Sequence, residues 1–170
     1  MNSYDIGVLL VRVVLGLTMA AHGYNKFFGP GGLQGTAGWF DSIGMKPGMF
    51  HARVAATTEV SAGLGLAVGF LTPISAAGFV AVMLVAGWTV HRLNGFFIVK
   101  EGWEYNFILA AMAIALATLG PGEWSLDHAL DIADDLDGYT GLVIASLGLV
   151  AGVLQLVIFY RPPKPEPSES

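Results

Sequence analysis

Residues 5–28, DIGVLLVRVVLGLTMAAHGYNKFF, decide how the rest of the chain is read. The run is long enough to cross a bilayer as a helix, since about 20 apolar residues span the hydrocarbon core. Yet it carries Arg12 inside it, with His22 and Lys26 near its far end. An arginine near a helix centre costs roughly 2.5–3.5 kcal/mol on insertion scales, so it turns toward other helices or water. At about 100° per residue, Arg12, His22 and Lys26 fall within about 80° of one another. They share one face, and that face needs polar company from the rest of the chain.

Composition sets the class of that company. Of 170 residues, 54% are hydrophobic and only 12% are charged, against about one quarter in an ordinary soluble domain. The chain therefore reads as an all-α integral membrane protein. It forms one domain over residues 1–160 and ends in a Pro-rich tail, 161–170, expected to be disordered and cytoplasmic. The absence of cysteine excludes disulfides, thiolate metal sites and a thiol nucleophile. A net charge of −5 gives no footing for nucleic acid. No secretory signal is expected, because the N-terminal region lacks Lys and Arg and Arg12 interrupts the apolar core.

Four further runs follow the first, so the expected spans are 5–25, 52–70, 74–91, 104–120 and 139–160. Continuous apolar runs indicate helices, whereas membrane strands alternate. Five spans leave residues 71–73 and 121–138 on the side of the N-terminus, without a single Lys or Arg. The opposite side holds Lys26, Lys46, Arg53, Arg92, Lys100, Arg161 and Lys164, seven of the eight basic residues. The positive-inside rule then puts the N-terminus outside and the C-terminus in the cytoplasm.

The connections carry their own signals. In FGPGGLQGTAGWFDSIGMKPGM (28–49), Trp39, Phe40 and Ile43 sit at helical spacing, which predicts a short helix along the interface. The alternative is a plain loop with aromatic anchors. Pro73 predicts a tight hairpin at GFLTPIS, with proline near the start of the next helix. The loop GPGEWSLDHALDIADDLDGY (120–139) holds six acidic residues and predicts one short amphipathic helix entered at Ser125, with a solvated acidic face. It lacks the EF-hand spacing of a calcium loop. His22-x-x-Asn25-x-Phe27-Phe28 is echoed by His91-x-x-Asn94-x-Phe96-Phe97, which would fit two related helical hairpins.

Rise along the helices shows which polar groups can meet. At about 1.5 Å per residue, Arg12 lies roughly 10 Å from one membrane face, and His22 roughly 25 Å. Glu59 lies at a similar depth to His22 on the returning helix. His91, Glu104 and Asn106 open onto the same half. Ala55, Gly63 and Ala67 recur around Glu59 at four-residue steps, which allows close helix packing with the carboxylate in the seam. His22, Lys26, Glu59, His91, Glu104 and Asn106 are thus expected to gather, with Arg12 apart, either within reach of Asp127 and the acidic loop or stretching inward to Glu59. A buried ion pair that merely fixes helix register competes with any functional use of Glu59. His/Glu spacing of the helical di-iron type is absent, so no metal is assigned. His51 and His128 read as surface residues.

The motifs LLVRVVLGLTMAAHGYNKFFG, ATTEVSAGLGLAVGFLTPISA, EYNF and GPGEWSLD, with the Gly-rich loop through Gly44 and Pro47, resemble the DoxX family of small bacterial and archaeal membrane proteins. The likeness covers about residues 6–128. It implies a four-helix membrane core, to which a fifth C-terminal transmembrane helix is added here, in the plasma membrane of a prokaryote. The wider family is similar to the membrane subunit of a thiosulfate:quinone oxidoreductase, and other members are linked to thiol and oxidative-stress homeostasis. The polar positions the resemblance carries over are Arg12, His22, Lys26, Glu59, Glu104, Asn106 and Asp127.

The resemblance and the polar cluster together give the first functional expectation, a redox-linked subunit that binds a quinone between helices. Glu59 and His22 would handle protons, while Lys26, His91, Glu104 and Asn106 would hold the ring. Arg12 and Asp127 would be structural. A soluble redox partner on the cytoplasmic side is implied, because this chain has no sulfur carrier, and a homo-oligomer is open. A non-catalytic membrane scaffold is the second expectation and a small proton-coupled transporter the third.

Overall fold

The structure, a computed structural model, describes residues 2–163. The long helices are α1 (Ser3–Phe28), α3 (Gly48–Val68), α4 (Thr72–Ala86), α5 (Glu104–Leu119) and α8 (Gly138–Phe159). Shorter ones are α2 (Gly32–Ser42), α6 (Leu126–Ala129) and α7 (Ala133–Leu136). The five long helices coincide with the five expected runs, and α2 is the short helix expected between the first two. Three are long and apolar enough to cross a membrane: α1, α4 with its continuation to Asn94, and α8. α3 is diluted by Arg53, Thr57, Thr58, Glu59 and Ser61. α5 has 16 residues, about 24 Å of helix at 1.5 Å each.

Helix ends follow local chemistry. Asn2 accepts from the Asp5 N–H, and Asp5 accepts from the Asn2 N–H in return, a capping box that starts α1. Gly69 (φ 66°) stops α3 in the left-handed region, where a residue without Cβ meets least resistance. Pro73 sits in the first turn of α4, as its sequence position predicts.

α1 packs on α3, α3 on α4 and α4 on α5, forming an up-and-down four-helix ring. α8 lies outside it against α4 and α5. Small residues allow the close approaches. A Cβ placed on Gly63 would come within 2.6 Å of the Gly16 carbonyl oxygen, so α1 and α3 meet backbone to backbone. Gly141, Ala145, Gly148 and Gly152 form the buried seam of α8, and a Cβ on Gly148 would lie 2.9 Å from the Val80 Cβ. Leu15, Met19, Leu66, Phe79, Val80 and Leu116 fill the centre of the ring. Leu10, Val14 and Leu17 on α1, and Leu147, Val150 and Leu154 on α8, face outward.

Two expectations change. The acidic loop forms two single helical turns rather than one amphipathic helix, because Asp131 adopts a left-handed φ of 60° between them. Its Ser125 start is as expected, the hydroxyl accepting from the His128 N–H at 3.1 Å. The His-x-x-Asn echo has no matching backbone: the first copy stays on α1, while the second runs through a π-helical turn (Gly87–His91) and a 3-10 turn (Arg92–Asn94). The chain beyond α8 is anchored where it can be described. Tyr160 bridges to Met45, and the Arg161 N–H donates to the Gly44 carbonyl at 2.8 Å. The rest of the expected disordered tail, 164–170, lies outside the described residues.

Candidate functional site

One end of the bundle is tied shut. Asp127 is fully buried, and its carboxylate accepts from the N–H groups of Leu71 and Thr72 at 2.7 and 2.9 Å and from the Thr72 hydroxyl at 2.7 Å. It caps α4 from a distant loop, which is why the acidic loop is not wholly solvated. Arg12 is 1% exposed and donates to the Trp124 carbonyl. Its guanidinium occupies the space a Cβ on Gly69 would need, with Asp127 as the nearby counter-charge. Asp5 adds a bond from the Glu123 N–H at 3.1 Å. Arg12 therefore belongs to the loop anchor and does not reach toward Glu59.

The other half of the ring is where the polar cluster collects. The Lys26 ammonium contacts both oxygens of Glu59, at 2.8 and 2.6 Å. The lysine side chain is 21% exposed and the glutamate 6%. A cavity of about 280 Å³ lies beside the pair, lined by His22, Lys26, Glu59, His91 and Asn106 among Trp39, Phe79 and Tyr105. It sits along the seam of α1 and α5, helices that share few contacts and are joined at the opposite end by the Tyr4 hydroxyl donating to the Leu119 carbonyl. A second cavity, about 140 Å³, reaches the same pair from the α2, α3 and α4 side and is lined in part by Thr58, Thr89 and Gln155. The ion pair thus stands as a partition between two cavities. That position follows from sequence: α3 turns Glu59 inward on its small-residue face, and Lys26 in the last turn of α1 reaches back to it.

The expected residues separate cleanly. His22, Lys26, Glu59, His91 and Asn106 all line the larger cavity. Glu104 does not. Its carboxylate accepts from the Ile98 N–H at 2.9 Å and closes the 92–103 loop. His91 Nδ1 lies 2.7 Å from the Glu101 carbonyl oxygen, an acceptor that makes Nδ1 the protonated nitrogen and leaves Nε2 as the ring's other polar atom. Asn106 points Nδ2 toward the Met83 sulfur at 3.8 Å. Among the described residues no group of three His, Asp or Glu side chains is disposed to hold a metal.

Sequence reasoning missed His51. It is fully buried rather than on the surface, with Phe40, Phe50 and Phe159 around its ring. Its Nδ1 is 3.1 Å from Gln155 Nε2. The available signal was Gln155, a lone amide in the otherwise apolar second half of α8.

Comparison with known proteins places this geometry in a family context. The DoxX family model matches residues 7–92. The chain is 33% identical over 115 residues to a Bacillus subtilis (strain 168) protein named "Putative oxidoreductase CatD", covering 68% of this chain and 81% of that one. It is 26% identical to the inner membrane protein YqjF of Escherichia coli (strain K12), over 75% of this chain and 94% of YqjF. It is 27% identical to the uncharacterized membrane protein Rv3486 of Mycobacterium tuberculosis (strain ATCC 25618 / H37Rv), over 72% and 80% respectively. No solved structure matches the chain.

Proposed function

This chain belongs to the DoxX family of membrane proteins, and from that premise we propose that it is a redox-linked membrane component that binds a quinone-type ring beside the Lys26–Glu59 pair. The observation that carries the reading is the cavity itself, which brings five of the expected polar residues onto one apolar and aromatic surface. At about 280 Å³ it is just below the usual size of ligand pockets, about 300–1,000 Å³. The name of the Bacillus relative supports a redox role.

The donor set fits such a ring. An ammonium has three N–H donors, and the contacts to the two Glu59 oxygens leave Lys26 one N–H for a ring carbonyl oxygen. His22 and Asn106 supply further donors from opposite walls. A quinone supplies a two-electron, two-proton acceptor when bound, and a soluble redox protein at the basic end supplies the electrons. Lys26 would stabilise negative charge on a ring oxygen held beside it. Glu59, with a cavity on either side, would take up protons and pass them by way of His22 to the ring oxygens, while Lys26 keeps its charge. The same proposal sets the basic end in the cytoplasm and the N-terminus outside.

Titration of the purified protein with quinone analogues tests the reading. Binding weakened about tenfold or more by Glu59→Gln and His22→Ala is expected, since each removes a polar contact of a buried site. No binding, or binding unchanged by both substitutions, overturns it. The two-contact pairing of Lys26 with Glu59 also favours a second reading, a helix clamp in a non-catalytic scaffold. Full redox activity in a less stable Glu59→Gln protein would decide for the clamp.

A further inference from the structure

A third cavity has no part in that reading. It measures about 330 Å³ and lies between α4, α5 and α8, with Leu84, Ala110 and Leu149 among its walls. Trp88, Trp103 and Arg92 lie toward its basic end. The Arg92 guanidinium stands 4.4 Å from the centre of the Trp88 ring. Among the described residues Arg92 forms no ion pair; Lys26–Glu59 is the pair that does. The backbone is specialised here as well, because the π-helical turn Gly87–His91 replaces the regular end of α4. Such turns cluster at functional positions in helices.

We propose that this cavity takes an acyl chain of an anionic phospholipid from the surrounding bilayer, with the headgroup phosphate on Arg92. The apolar walls from three helices suit a hydrocarbon chain and offer nothing to a polar solute. Tryptophans are favoured at headgroup depth. A guanidinium pairs with phosphate through two parallel N–H donors. Arg92 makes no ion pair among the described residues, Glu104 being turned onto the Ile98 N–H, and its end of the bundle also carries Lys46, Arg53, Lys100 and Arg161. A net negative lipid is therefore preferred over a zwitterionic one. Met83 and Asn106 line both this cavity and the one beside Lys26–Glu59, so the two are neighbours with a shared wall.

The test uses the full chain in vesicles of phosphatidylcholine with a minor fraction of phosphatidylglycerol, one lipid at a time carrying brominated acyl chains. Tryptophan fluorescence is read in a Trp39→Phe/Trp124→Phe background, which leaves Trp88 and Trp103 as reporters. Brominated phosphatidylglycerol is expected to quench beyond its mole fraction, and brominated phosphatidylcholine is not. Arg92→Gln is expected to lower the relative association of the anionic lipid about fivefold, while Arg92→Lys, which keeps the charge but not the fork, falls between the two. Ala110→Phe, which fills the groove, removes the excess without touching the charge. Quenching that follows mole fraction for both lipids overturns the proposal. So does an excess that survives Arg92→Gln, an equal excess for the two lipids, or displacement of the brominated lipid by an added long-chain quinone.

Discussion

Asp127 and Thr72 lie 55 positions apart, yet one carboxylate oxygen accepts both the N–H and the hydroxyl of Thr72, at 2.9 and 2.7 Å. The other oxygen takes the N–H of Leu71 at 2.7 Å, a residue held at the unfavourable φ of 44°. Asp127→Ala removes all three bonds and is expected to cost about 3 kcal/mol, given charge-assisted bonds to buried donors. Thr72→Val removes one and is expected to cost about 1 kcal/mol. Unfolding of the purified variants in detergent gives both values, and an unchanged midpoint for Asp127→Ala would contradict the capping role.

Arg12 depends on shape as well as charge. Its guanidinium fills the space over Gly69 and reaches the Trp124 carbonyl. Arg12→Lys keeps the charge but not the fork, so it is expected to stay destabilised by about 2 kcal/mol or more. Proteolysis of the 120–137 loop, followed by mass spectrometry, should show faster cleavage than in wild type. Equal cleavage rates would count against the anchor.

The ion pair predicts an asymmetry. Lys26 is 21% exposed and can turn its ammonium outward, whereas Glu59 is 6% exposed. Lys26→Met strands a buried carboxylate and is expected to cost about 3 kcal/mol, more than Glu59→Gln. The double substitution should recover part of the loss. A double-mutant cycle by chemical unfolding measures it, and additive losses would mean that the pair contributes no coupling.

The glycine seams divide tolerant from intolerant positions. Gly63→Val drives a side chain into the backbone of α1 and is expected to cost about 3 kcal/mol or prevent folding. Gly7→Ala and Gly38→Ala meet nothing within 4 Å and should lie within about 0.5 kcal/mol of wild type. Monodispersity of the detergent-purified proteins by size exclusion is a first readout, and normal behaviour of Gly63→Val would refute the close contact.

These residues also mark how far sequence could carry the structure. Helix depth is simple arithmetic on rise and period, which is enough to group His22, Lys26, Glu59, His91 and Asn106. Glu104 shares their depth, but its rotamer is decided by the closure of the 92–103 loop onto Ile98, which has no periodic signature. Depth arithmetic also brought Arg12 near Asp127, but not the partners each takes: the Trp124 carbonyl for Arg12, and Leu71 and Thr72 for Asp127, are set by a loop that folds back over two helix ends, a long-range event. The burial of His51 depends on α8 bringing Gln155 and Phe159 across to the start of α3. Periodicity reports which face of a helix is apolar, not which neighbour will cover it.

The ties among Asp5, Arg12, Asp127 and their loop partners lie at one end of the ring, and the cavities beside Lys26–Glu59 at the other. The ring is knotted at that one end, while toward the other α1 and α5 share few contacts and Lys26–Glu59 holds α1 to α3 instead. A ring bound as proposed beside Lys26–Glu59 would therefore find its least obstructed approach along the flank where α1 and α5 touch least.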